Sequence, residues 1–117
     1  MNNSVVTLDA EGIKFVVPPG AIDPSLMVDV YKEEGTLIVP EGTPGDKIAR
    51  IAAMTEKFNG PVEIHIPIAN PQKIPVAYAV DKSDAWAELK LKAVSPDKST
   101  AIYLTEKPVT VAWVTPP

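Results

Sequence analysis

One imidazole, His65, is all the chain offers for acid–base chemistry near neutral pH, because the 117 residues contain a single histidine and no cysteine. Two-histidine metal sites, thiolate sites and cysteine nucleophiles are thereby excluded. His65 falls on the polar side of an alternating run beside Glu63, where a solvated imidazole is the expected state. Ser4, Ser25, Ser83, Ser95 and Ser99 fall in turns or at the terminus, and none sits in a Gly-x-Ser-x-Gly elbow. The pairs Asp9 with Glu11, Glu33 with Glu34 and Asp81 with Asp84 bring hard oxygen donors together. They lack the spacing of a calcium loop and read as solvated turn residues. The two glycines in Gly42 to Asp46 lack the lysine and hydroxyl residue of a phosphate loop. No catalytic residue, cofactor or metal ligand is expected, and the chain does not read as an enzyme.

Aromatic side chains are the more informative group. Trp86 with Tyr78, or with Tyr31 or Tyr103, would make a flat stacking platform for sugars if the rings stood outside. Buried, they are core. Trp113 alternates with Val109 and Val111 and is expected inside, whereas Trp86 stands at odd offsets from Leu89 and Leu91, which leaves its face open. Trp86 and Tyr78 are therefore the candidate ligand contacts.

Short strands must position these groups. Val62, Ile64, Ile66 and Ile68 alternate with Glu63 and His65 after a Gly60-Pro61 break, the pattern of a strand with one wet face. Similar runs recur at Val5–Leu8, Ile13–Val17, Met27–Tyr31, Leu37–Val39, Ile74–Val80, Trp86–Val94, Thr100–Thr105 and Val109–Val114, each bounded by Pro, Gly, Asn or Asp. Ile48 to Lys57 satisfies two periodicities: Ile48, Ile51, Ala52 and Met54 suit a helix, and Ala49, Ile51, Ala53 and Thr55 suit alternation. The strand is preferred. The expected architecture is all-β: a two-layer antiparallel β-sandwich, Greek-key-like, of about eight or nine short strands in a single module. The ordered core is expected over about 5–114, with 115–117 opening a proline-stiffened linker. Thirteen prolines also suggest protected sheet edges, Pro61 and Pro67 among them.

Eleven basic against fifteen acidic side chains give a net charge of −4, with no basic stripe, so nucleic acid is not an expected partner. No apolar run is long enough to insert into a membrane.

Two segments resemble a known family. Gly12-Ile13-Lys14-Phe15-Val16-Val17-Pro18-Pro19-Gly20-Ala21-Ile22 is similar to the opening of the ZU-five domain, and Phe58-Asn59-Gly60-Pro61-Val62-Glu63-Ile64-His65-Ile66-Pro67 to its second hallmark. Trp86, placed after the strand that holds Tyr78, resembles its third, so the likeness spans about Val5 to Val114. It implies a β-sandwich used for binding or mechanical support, which bacterial members repeat within exported and cell-wall proteins. A non-catalytic structural or interaction module of a larger surface or secreted protein is the implied function, with an extracellular or cell-surface location. Its partners would be neighbouring domains or another surface protein. A carbohydrate-binding module using aromatics around Trp86 is the alternative. Two family properties do not carry over: Thr100 to Thr105 holds no self-cleaving His-Phe-Ser triplet, and the acidic chain has no basic cytoskeleton-binding cluster.

Overall fold

Alternating apolar and polar side chains form strands throughout the computed structural model, which describes residues 6–10, 12–23, 25–32, 43–44, 48–80 and 86–116. In chain order the strands are β1 (Val6–Ala10), β2 (Ile13–Val17), β3 (Val28–Lys32), β4 (Thr43–Pro44), β5 (Ala49–Ala53) and β6 (Val62–Pro67). β7 (Val76–Val80), β8 (Ala87–Glu88), β9 (Lys90–Val94), β10 (Thr100–Thr105) and β11 (Val109–Thr115) follow. Nine of these are five residues or longer, and no helix occurs among the described residues. The first sheet runs β1-β2-β6-β10-β9; the second runs β3-β5-β11-β7-β8, with β4 also paired to β11. All pairings are antiparallel, and the chain crosses repeatedly between sheets, giving a two-layer antiparallel β-sandwich. Leu37–Val39, expected to be extended, lies outside the described residues.

The two sheets meet through their inner faces. Ile13, Phe15, Val62, Ile64, Ile66 and Tyr103 from the first pack with Ile51, Val109, Val111 and Trp113 from the second, all at most 8 % exposed. Each aliphatic so buried contributes roughly 1.5–3 kcal/mol. Small residues go where large ones need room. Ala77 is the register partner of Trp113, and the alanines of β7 face inward so that the indole can lie beside them. Tyr103 is buried in this core and its hydroxyl donates to the Pro75 carbonyl, which removes it from any surface platform.

Local chemistry sets the turns. Gly12 closes the β1–β2 hairpin at φ +101°, a conformation other residues resist, and its N–H is accepted by the Asp9 carboxylate at 2.9 Å. Gly20 (φ +81°) reverses the chain so that the Ala21 carbonyl accepts from Asn59 N at 2.8 Å. In the β9–β10 turn the Asp97 carboxylate accepts from the Ser95 and Ser99 hydroxyls at 2.6 and 2.7 Å. These bonds, with one from the Ser99 amide, hold its pKa down to about 2.

Three expectations are revised. Trp86–Val94 is not one strand of one sheet: β8 pairs with β7 in the second sheet and β9 with β10 in the first, and between them Leu89 N donates to the Ala77 carbonyl at 2.8 Å. The chain switches layers at the half-buried Leu89 and joins the sheets along that margin. Pro61 and Pro67 guard no edge, because β6 lies between β2 and β10; they bound a central strand. Finally, β11 continues through Thr115, which pairs with Thr43, one residue past the expected core boundary. The doubtful span around Ile48–Lys57 is strand over Ala49–Ala53, with Ala49 and Ile51 inward.

Candidate functional site

β11 gives the site away. Its inner residues Val109, Val111 and Trp113 belong to the core, but Ala112 and Val114 point out of the sandwich and are still only 2 % and 4 % exposed. Their covers are Tyr78, Trp86 and Ile48, which form a second apolar cluster with them, separate from the main core. Tyr78 is the register partner of Ala112 on one side and of Glu88 on the other. Trp86 immediately precedes β8, so it follows the outer face of the second sheet. Alanine beneath the rings is physically apt, since a small side chain lets a ring fold down onto the sheet and leaves the ring's other side toward solvent.

The same face carries a second row. Tyr31, 41 % exposed, is opposite Arg50, and Arg50 is opposite Thr110. Arg50 Nη1 donates to Thr110 Oγ1 at 3.0 Å, which fixes the guanidinium over the sheet. Arg50 also lines an open groove of about 590 Å³ that runs past Met54, Glu56 and Lys107 at one end of the sandwich. The structure thus brings Trp86 and Tyr78 together, adds Tyr31 on the same face, and sends Tyr103 and Trp113 into the core. Ile48 and Arg50 are contributors that sequence reasoning missed. Their outward parity followed from Ile51 once β5 was read as a strand, but their neighbours across β11 did not.

The outer face of the first sheet is built differently. Glu63 accepts from Lys92 Nζ at 2.5 Å through Oε2 and is bonded to His65 Nε2 at 3.0 Å through Oε1. Lys92 primarily, then His65, hold the Glu63 carboxyl below its ordinary pKa. Lys92 reaches it because the β9–β10 register shifts between Ile102 and Tyr103, making Lys92 the extra, bulged residue. His65 is thus partnered by a carboxylate, which sequence reading had not assigned, yet no serine or threonine hydroxyl bonds to it among the described residues. Imidazole, carboxylate and ammonium satisfy one another there. Ser25 and Ser95 bond to the carboxylates of their own turns. Of the paired acidic residues, Glu11, Glu33, Glu34, Asp81 and Asp84 lie outside the described residues, as do Ser4 and Ser83. No cluster of three or more metal-ligating carboxylates and imidazoles is found among the described residues, nor any helix long and apolar enough to cross a membrane.

No family model, curated protein or solved structure matches this chain.

Proposed function

We propose that this domain is a non-catalytic structural or interaction module whose contact surface is the outer face of the second sheet. One observation carries the reading: aromatic rings are folded over Ala112 and Val114 on the outside of the sandwich, where a purely solvated sheet would alternate to polar residues. The ZU-five-like segments favour the same role, and with it a place in a larger surface or secreted protein beside neighbouring domains. The opposite face supports the assignment by contrast, since at its centre Glu63, His65 and Lys92 are already engaged with each other.

A photo-activated benzophenone side chain installed at position 78, and separately at position 102 on the first sheet's outer face, tests this in the producing cell. Adducts are expected from position 78 and not from 102. Adducts confined to 102, or none from either, would overturn the assignment of the face.

A further inference from the structure

We infer that the occupant of this face is a neutral polysaccharide, an unbranched run of linked pyranose rings lying across the strands. The inference rests on the contact-face reading above and goes further by naming the ligand.

Three features of the face select it. Its aromatic groups stand on both sides of the face in adjacent rows: Tyr31 on β3 at one side, in the row of Arg50 and Thr110, and Tyr78 on β7 with Trp86 at β8 on the other, one row along. Four inter-strand spacings of about 4.8 Å separate β3 from β8, a reach of roughly 19 Å that suits a short oligosaccharide of several linked rings. The charge also matches. Asp29, Arg50 and Glu88 are scattered among these rows with both signs present, so no strongly anionic or cationic polymer finds a complementary field, whereas hydroxyls can bond to either sign. Arg50 has five N–H donors, one of them held by Thr110 Oγ1, and it stands between the aromatic ends.

The exposed ring area is modest. A fully exposed aromatic side chain presents roughly 150–250 Å², and Tyr78 and Trp86 are each already partly buried against Ala112 and Val114. What the rings still expose is a minor share of the roughly 800 Å² per partner that a stable protein interface covers, so the rings alone do not call for a protein. That surface is ample for the apolar faces of one or two sugar rings, which need a flat ring and little else.

The test is native affinity electrophoresis through gels containing hydroxyethylcellulose, xylan, laminarin or mannan, with iodide quenching of tryptophan emission measured on the same mixtures. At least one polymer is expected to retard the protein and to shield Trp86 from iodide; Trp113, buried, is insensitive throughout. Trp86→Ala and Tyr78→Ala should each weaken retardation roughly three- to tenfold, Trp86→Phe should restore part of it, and Ile102→Ala on the other face should change nothing. No retardation by any of the four polymers, or equal retardation of Trp86→Ala, overturns the inference. If the polymers fail while adducts still form from position 78, the ligand is wrong and the contact face stands. If both fail, both fall.

Discussion

The two outer faces of this sandwich are made from the same alternation and end in opposite states. On the first sheet, Glu63, His65 and Lys92 close an ionic group among themselves, and the residues around them, Val16, Ile102 and Leu104, are partly exposed aliphatics. On the second, partly buried aromatic side chains cover the central strand and keep part of their surface exposed. Polar groups that already satisfy one another, as Glu63, His65 and Lys92 do, gain little from a visitor. A face whose rings are held in place by small residues beneath has already lost the side-chain freedom that binding would otherwise cost. Pre-organisation, more than exposure, distinguishes the two.

The contrast can be broken most decisively at the tryptophans. Trp113→Ala should cost about 3–5 kcal/mol in denaturant unfolding, because the indole fills the core beside Ala77. Trp86→Ala should cost only about 1 kcal/mol, and equal losses would mean that Trp86 belongs to the core and not to a contact face. Next in size is a charge placed under the rings. Ala112→Asp should destabilise by about 3 kcal/mol, since the carboxylate would be buried without a partner, and should shift Trp86 emission. The matching Ile102→Asp on the other face should stay within about 1 kcal/mol. Similar costs at 112 and 102 would erase the distinction between the faces.

Smaller effects are read by pH. Burial, with a contribution from the Glu88 carboxylate, raises the Tyr103 pKa from 10.0 to about 12. A pKa raised in the fold gives stability that is complete below pH 10 and is lost as pH climbs toward 12. Tyrosinate absorbance should therefore show a late-titrating hydroxyl that Tyr103→Phe removes; a protein without one would place Tyr103 outside. The Glu63 effect has the opposite sign. Its folded pKa is lowered, so its contribution is present above the ordinary value of 4.5 and fades as pH falls through the folded one. Glu63→Gln should cost at most about 1 kcal/mol at neutral pH, with the gap to wild type closing in acid. A gap independent of pH would mean the ionic group does not form.

Much of this was legible in the residues. β2, β6 and β10 alternate cleanly because one side of each is core and the other is wet, and period two records that difference. β11 does not alternate in burial, since Tyr78, Trp86 and Ile48 cover its second side and remove the wet positions. That information lies in distant residues, not in the strand. The Trp86–Val94 run reads as one strand because nothing local marks a change of sheet; Leu89 sits at the switch only because its neighbours pair with different partners. The bulge at Lys92 then sets Leu91, 43 % exposed, apart from the alternation expected with Leu89. Tyr78 and Trp86 were recognisable as the residues to watch. Their meeting, and the presence of Tyr31 and Arg50 on the same plane, depended on strand order, which no single segment encodes.

The layer switch at Leu89 also bears on how the domain comes apart. Like a hem stitched along one border, it ties together two outermost strands, β8 of the second sheet and β9 of the first, whose side chains are nearly all exposed. A hem frays before the cloth tears: amide protons of Ala87–Val94 should exchange with solvent well before those of the central strands Val62–Pro67 and Val109–Thr115, which are buried between neighbours on both sides.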